Sequence, residues 1–588
     1  MYKLLKKSLN IYLLKYFIIH FPDKYVFSGE ILDDVITNIN EKSTNEESIT
    51  INIMLCQKII TSNYQVEGKY IAIISDSIFK SSSLYPNKFI EGCTLMGEIL
   101  VKLYNEEVQD KFFEKVLFSF KKLISKNIEK SMIQRFETFL CTIVKKMNNS
   151  NNMFNIENFL IFIDNFQTDV KLNICTTIIN SVLYDINNKY ITDTYLAYII
   201  LKISKYIYDS LLFNKNYYQG IALKSSNENI SLNNNISNIL PDNLSSTNLI
   251  GIDLMNSVEV NIVNLIRKID FGLDYETYFN YLGEVRSNIF DLDNVTETII
   301  LEVQKICCLT YKILKGKHTK KSLRFLKLCI SFCQITIPSL KTKHSKIKHF
   351  LLTAGIALSN NFISECDSLI KNTINILSNM FNSDITLSSN ANNNYDYNFF
   401  INTIRRTLSQ IVIVPGNPES PFQLVIGIIN IFNDDNLDDN INKDKLLIKT
   451  VCLFDILKYL TTQLQIKLPY RIKYVDSNDE IFLGEESYNN EAVSLIISTV
   501  EDILGNISLL DEKSNELNLK QLEVLSFLCY DICNSFKRYL KLNKSVKNII
   551  TKMKELGDKY LNEYSNSSKA LKYKIVRLSN FKNSLEDN

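Results

Sequence analysis

Residues 271–290 read FGLDYETYFNYLGEVRSNIF and residues 315–340 read KGKHTKKSLRFLKLCISFCQITIPSL, with a helix-length apolar segment between them. Gly272 stops one helix and Asp274 is placed to cap the next, because a short side-chain oxygen can accept from the first free backbone N–H groups. On that next helix Tyr275, Tyr278, Phe279, Leu282, Val285 and Ile289 recur at helical spacing and share one face. Gly316 stands where a helix C-terminus needs a left-handed residue, and Thr319 is placed to start the helix that follows. That helix, 320–337, has Leu323, Leu326, Ile330 and Cys333 on one side and Phe325, Leu328, Cys329 and Phe332 beside them. It is apolar over most of its circumference, which predicts an inner helix with Phe325 and Phe332 buried; Pro338 ends it. The stretch therefore reads as helical hairpins joined by tight turns.

The same pattern continues along the chain. Segments 88–104, 111–126, 130–146, 155–166 and 170–185 are helix-length and amphipathic, with short polar breaks. Only 15 Gly and 8 Pro occur in 588 residues, too few punctuators for a sheet-rich protein. At that length one compact core is excluded, so the chain is several domains or one extended array. Two helices with their turns take roughly 40 residues, the period of HEAT-type hairpins. The predicted fold is all-α, a HEAT-like α-solenoid of stacked helical hairpins. Its parts are an N-terminal stretch 1–224, an Asn/Ser-rich loop 225–248, a central stretch 249–382, a polar loop 383–397 and a C-terminal stretch 398–588. Residues 433–444 add a solvated acidic loop.

Composition narrows the function. The formal net charge is +2, which gives no long-range field for gathering nucleic acid. Lys6, Lys7 and Lys15 interrupt the apolar start, so it reads as a helix with Leu4, Leu5, Leu9, Tyr12, Leu13, Tyr16 and Phe17 in one stripe. No run approaches the roughly 20 apolar residues of a membrane span. The 12 cysteines lie inside apolar helical stretches, as expected of a protein kept in a reducing, cytoplasmic compartment.

Convergent chemistry is scarce, and no catalytic, cofactor-binding or metal-binding residue is assigned. His344 and His349 are five apart and do not share a face, and His318 fits a surface or capping contact beside Gly316. Cys329 and Cys333, like Cys529 and Cys533, have i,i+4 spacing but no second ligand pair, so core packing is the better reading. Cys307 and Cys308 point to different faces. Lys315, Lys317, Lys320, Lys321 and Arg324, with the later Lys341, Lys343, Lys346 and Lys348, form a basic cluster. It reads as a solvated face that could also meet acidic lipid or a partner's acidic surface. Two loops stand apart: 414–419, VPGNPE, a rigid turn, and 470–484 containing VDSNDEIFLG, rich in Asx-turn formers and lacking the glycine and glutamate of a calcium loop. Both are surfaces that a partner could read.

Blocks across this sequence resemble the large subunit of Retriever, the vacuolar protein sorting-associated protein 35-like family. They are Phe271-Gly272, Phe279-x-Tyr281, Glu284-x-Arg286, Lys315-Gly316-x-His318, Phe325, Cys329 and FCQITIPSL at 332–340. Gly355-x-Ala357-Leu358, Val414-Pro415 and VDSND at 475–479 follow in order, with a weaker block at 159–166. The resemblance implies a scaffold within the larger Commander assembly that recycles membrane-protein cargo from endosomes to the plasma membrane. It implies a metallophosphoesterase-fold subunit, shared with retromer, on the C-terminal repeats. It also implies an arrestin-fold subunit on the N-terminal part and a COMMD-containing coiled-coil assembly as the outer partner. Members of the family carry a further N-terminal region ahead of the matched part, so the arrestin-fold contact is the partner this sequence carries least. The implied location is cytoplasmic, at the endosome membrane periphery, with membrane contact made through the complex. Within 398–541, Arg405, Arg406, Arg471 and Lys473 are candidate polar anchors, since directed cationic donors are favoured at interfaces. A nuclear-transport HEAT receptor or another solenoid adaptor is the alternative; such receptors tend to be markedly acidic, and this chain is not.

Overall fold

The computed structural model describes residues 11–20, 44–62, 66–124, 130–147, 150–185, 189–228, 243–289, 291–383, 393–433 and 443–512. The last range has breaks at 465–466, 469–470, 474 and 483, and Leu32, Asp33, Val35, Ile36, Ile39 and Val576 are described singly. Among these residues the regular elements are helices, and the β contacts are three isolated bridges. Two compact units divide the chain, Met1–Ile299 and Ile300–Asn588.

The first unit holds α1 (Ile11–His20), α2 (Asn45–Ser62), α3 (Gly68–Lys80), α4 (Pro86–Leu103), α5 (Glu106–Ile124) and α6 (Lys130–Lys146). After a 3-10 turn at Ser150–Asn155 come α7 (Glu157–Asp164), α8 (Thr168–Tyr184), α9 (Thr194–Glu228), α10 (Asn243–Lys268) and α11 (Tyr275–Asn288). Alternate helices stack: α2 on α4, α4 on α6, α6 on α8 and α8 on α10 in one layer, and α3 on α5 and α5 on α7 in the other. Consecutive helices pair across the layers. Each hairpin thus buries its apolar faces on the hairpins before and after it, which is a solenoid.

Phenylalanine fills the middle of this stack. Phe112 and Phe113 of α5 meet Phe79, Phe139 and Phe159, and Phe120 lies 4.8, 5.0 and 4.9 Å from the rings of Phe136, Phe162 and Phe166. Several of the pairs are edge-on, the arrangement that the ring quadrupole favours. Gly97 lets α4 and α6 close up, since a Cβ there would run into Ile143. At the far end a lysine stands in for a helix cap: Lys268 Nζ donates to the carbonyls of Val182, Leu183 and Asp185 at the C-terminus of α8. Partial burial of that ammonium lowers its pKa.

Helix α12 (Asp293–Leu314) begins in the first unit and ends in the second. The second unit continues with α13 (Lys320–Thr336), a 3-10 turn at Ile337–Ser339, α14 (Lys343–Ser359), α15 (Ile363–Ser383) and α16 (Asn393–Ile411). Then come α17 (Gln423–Asn430), α18 (Lys443–Gln463), the single turn α19 (Asn478–Ile481) and α20 (Glu486–Glu512). Here α14, α16, α18 and α20 stack in one layer, with α15 on α17 opposite. Helix α20 is long and apolar enough to cross a membrane by length and composition alone. Its Ala492, Val500, Ile503 and Ile507 are buried, and it packs on α18 as the other helices of the layer do.

The local punctuation stands as the sequence predicts. Asp274 accepts from Thr277 N at 3.1 Å, and Thr319 and Ser322 form a reciprocal capping box. Gly272 and Gly316 have φ of 65° and 76°. Three predictions need correction. In α1 the buried residues are Leu14 and Ile18, whereas Tyr12, Leu13 and Tyr16 are exposed; Leu4, Leu5 and Leu9 lie outside the described residues. In α11 Tyr281 is buried in place of Phe279. Helix α13 is not an inner helix: Leu326, Cys329, Ile330 and Cys333 are buried, but Leu328 and Ile335 are 60% and 66% exposed, and Phe325 and Phe332 only half-buried. It sits in an outer position beside α15, tied by Lys327 to Glu365 (2.8 Å) and Gln334 to Ser368 (2.9 Å). The ends of the segments read as polar loops belong to helices α9, α10, α15, α16 and α18; residues 229–242, 384–392, 434–442 and nearly all of 513–588, Cys529 and Cys533 included, lie outside the described residues.

Candidate functional site: a docking platform in the second unit

The two loops singled out in the sequence, 414–419 and 470–484, pack against each other. Asn478 joins them. Its Oδ1 accepts from Gly416 N (2.8 Å), and its Nδ2 donates to Oε1 of Gln463, the last residue of α18 (3.0 Å). Tyr488 of α20 donates its hydroxyl to the same Gln463 oxygen at 3.0 Å. Asn478 is 4% exposed, so these bonds are shielded from water and each broken one leaves a desolvated polar group. Gly416 has no room for a side chain: a Cβ would come within 3.0 Å of the Pro421 backbone and 3.3 Å of Phe482.

Aromatic rings close the junction. Tyr488 stacks on Phe482 with centroids 4.7 Å apart and planes 9° apart, and on Phe422 at 4.8 Å. The rings come from the end of the proline turn, from the residue after α19 and from the start of α20. Stacking and hydrogen bonds together hold the exposed Asn417, Pro418, Glu419 and Asp476 on a rigid base. A pre-ordered loop loses little conformational freedom when a partner binds, which favours affinity.

Two of the four candidate anchors make ion pairs within the chain. Arg405 of α16 is committed within the chain, its Nε 2.7 Å from Asp455 of α18, and so ties neighbouring helices. Arg471 is committed as well, with Nη2 2.7 Å from Asp479, Nε 3.2 Å from Glu480, and Nη1 donating to the Leu468 carbonyl. All four side chains are exposed. The Asp479 carboxyl is held below its ordinary pKa: burial would raise it, but hydrogen bonds from Ser477, Arg471 and Leu468 N–H outweigh that. Glu480 is lowered in turn by the Ser477 backbone and hydroxyl. Gln463, Phe422 and Tyr488 were missed by sequence reasoning. Gln463 is distant from the turns in sequence and ordinary in type, so nothing local signals it; the Phe422 that follows the proline turn was the one available hint.

Elsewhere in the unit the residues weighed for chemistry are packing groups. His349 is fully buried, its Nδ1 3.3 Å from Gln304 Oε1, while Gln304 Nε2 donates to Thr353 Oγ1 at 2.8 Å and to the His349 carbonyl at 3.2 Å. His344 lies on the Phe399 ring at 3.9 Å, so the two histidines do not converge. His318 rests near Tyr311, half-buried, and its ring nitrogens make no hydrogen bond, so the capping contact offered by the sequence is not made. Cys307, Cys329 and Cys333 lie together; hydrogen bonding with Cys307 and then burial push the Cys329 thiol far up, and burial does the same for Cys333. Cys308 is exposed. Among the described residues no group of His, Cys, Asp and Glu is arranged to hold a metal ion.

The model of a family described as the VPS35L C-terminal domain matches residues 218–583. The chain belongs to that family. A relative from Dictyostelium discoideum, the VPS35 endosomal protein sorting factor-like protein, is 24% identical over 568 residues, covering 95% of this chain and 51% of the relative. The Homo sapiens VPS35 endosomal protein-sorting factor-like protein is 25% identical over 402 residues, 68% of this chain and 37% of its own length. The Rattus norvegicus counterpart is 28% identical over 289 residues, 49% and 30% of the two chains. The VPS35L-family chain thus spans about half the length of its Dictyostelium relative and less of the mammalian ones. The platform, α13 and the Gln304 network all fall inside the matched range.

Proposed function

We propose that this chain is a non-enzymatic scaffold subunit of a retromer-like endosomal sorting assembly, working at the cytoplasmic periphery of endosomes to recycle membrane-protein cargo to the plasma membrane. The observation that carries the reading is the family match over 218–583, whose relatives are named as endosomal protein-sorting factors. A stack of helical hairpins suits the role, because it presents a long surface while each repeat needs only its neighbours for stability. The proposed partners are a metallophosphoesterase-fold subunit shared with retromer, a COMMD-containing coiled-coil assembly as in Commander, and, least strongly, an arrestin-fold subunit. The first is placed on residues 398–541, of which 513–541 lie outside the described residues. Within this region Arg405, Arg406, Arg471 and Lys473 are the candidate anchors, and the ion pairs of Arg405 and Arg471 also hold helices and loops in place.

The test is recovery of the tagged chain from cells with its native partners, followed by mass spectrometry, beside a fragment ending at Asn382. The full chain is expected to bring down the phosphoesterase-fold subunit and the fragment to lose it. Retention by the fragment at full affinity overturns the C-terminal placement. Recovery of the small GTPase Ran in place of that subunit overturns the scaffold reading in favour of nuclear transport.

A further inference from the structure

Between Glu302 and Glu365 the sequence carries twelve Lys and Arg and no Asp or Glu, in a chain whose net charge is only +2. The two carboxylates that bound the stretch are both paired, Glu302 with Lys305 at 2.9 Å and Glu365 with Lys327 at 2.8 Å. Part of the charge gathers at the turn from α12 to α13. Lys312, Lys315, Lys317, Lys320 and Arg324 are exposed there, and none of the five is in an ion pair among the described residues. The turn is tight: Lys315 and Gly316 have φ of 51° and 76°, and Lys317 N–H donates to the Leu314 carbonyl at 2.9 Å. A lysine enters that left-handed region only at a cost. Ile313 stands among the cations at 54% exposure. The turn from α14 to α15 shares this end of the unit. Gln304 of α12 bonds to His349 and Thr353 of α14, and α13 reverses the chain between them, so α12 and α14 run in the same direction. Exposed Asn361, Ile363 and Ser364 of that second turn add an apolar side chain and no charge.

We propose that the turn from α12 to α13 is a contact surface for an anionic lipid bilayer, with the cations on the headgroups and Ile313 entering the interface between them. The charge sets the sign of the surface, since clustered Lys and Arg are drawn to acidic headgroups. The kind of surface follows from the donors. Four of the five are lysines, compact hydrated charges on flexible stems, which suit a fluid layer of headgroups; a protein interface favours the directed fork of arginine. A turn at the end of a stack can also meet a plane, whereas protein partners of a solenoid are taken on its extended concave face. This contact goes beyond the scaffold reading. It needs lipid alone, while that reading is tested by protein partners, so the two fail separately.

Flotation of the purified full chain with vesicles tests it. The chain is expected to float with vesicles that contain phosphatidylserine, to stay behind with phosphatidylcholine alone, and to be released at about 0.5 M salt, where exposed charges are screened. Each cation at an anionic surface contributes about fivefold in affinity, so K312E/K317E/K320E should bind about a hundredfold more weakly or worse. Lys111, Lys121 and Lys130 are exposed in the first unit, and K111E/K121E/K130E changes the net charge equally but should bind as wild type does. The chain has no tryptophan, so Ile313→Trp places a single reporter at the turn with all five cations intact. Its emission should shift to the blue with phosphatidylserine vesicles and not with phosphatidylcholine, a readout that holds even if the triple reversal fails to fold. Equal flotation of wild type and K312E/K317E/K320E, an equal loss in K111E/K121E/K130E, or an unmoved tryptophan emission overturns the proposal. So does binding of a polyglutamate peptide by a chain that no vesicle recruits, which would assign the cations to an acidic protein.

Discussion

The phenylalanine core of α4 to α8 and the core where α12, α13 and α14 meet solve one problem in two ways. The first is built from rings in contact, with Phe113, Phe120, Phe136, Phe139, Phe159 and Phe162 all fully buried. Its stability is additive apolar burial, and a ring can shift a little without leaving any bond unmade. The second places an amide, an imidazole, a hydroxyl and three thiols in the interior: Gln304, His349, Thr353, Cys307, Cys329 and Cys333. There every donor needs its acceptor at the right distance, so the arrangement fixes one register of the three helices. Burial gives strength and buried polarity gives uniqueness, and each unit leans on a different one of the two.

The comparison can be broken first at the rings. Phe120→Ala removes a side chain in contact with three other rings, and should cost about 3–5 kcal/mol. Denaturant unfolding of the full chain reads it; a loss under about 1 kcal/mol, the scale of a routine surface-to-intermediate change, would mean that the spine closes over the gap.

The polar core should lose less per site but in a more revealing way. Gln304→Ala removes the bonds that Gln304 makes to His349 Nδ1, the His349 carbonyl and Thr353 Oγ1, and should cost about 1–3 kcal/mol. If Gln304→Leu, close in size, proves as stable as wild type, the network is replaceable by packing and the claim of register specificity fails.

The outer side of α13 sharpens the contrast. Because Phe332 is only half-buried, Phe332→Ala should cost about 1–2 kcal/mol on area, clearly less than Phe120→Ala. Equal melting shifts for the two would return α13 to the inner position that its composition indicated.

The smallest effect is expected in acid. Asp479 has its folded pKa below the ordinary 3.8, so its contribution is fully present above that value. It fades as pH falls through the folded value. Asp479→Asn should therefore be less stable than wild type near neutrality and converge on it in strong acid. Parallel pH profiles for the two proteins would show that the Arg471 and Ser477 contacts contribute nothing.

Much of the fold was legible because its signals are local. Helices 130–146 and 170–185 were read within a residue or two of α6 and α8, since apolar spacing and turn residues lie inside each segment. The platform was half legible. Its loops declared themselves through proline, glycine and Asx-turn residues, but their junction depends on Gln463, Phe422 and Tyr488, which approach only once α18 and α20 stack. The cationic anchors show the same limit: nothing beside Arg405 in the sequence signals its ion pair with Asp455, which the stacking of α16 and α18 creates.

The sequence alone determined the helical class, the caps at Asp274 and Thr319, the left-handed turns at Gly272 and Gly316, and the family. All of these rest on interactions within a few residues or on the order of motifs along the chain. Only the tertiary structure decided which side of α13 is dry, that Asn478 ties two loops together, and that the thiols meet between helices. A helix with apolar residues all round offers several equivalent faces to its neighbours. Which one is buried depends on where those neighbours stand, and that information lies outside the helix itself.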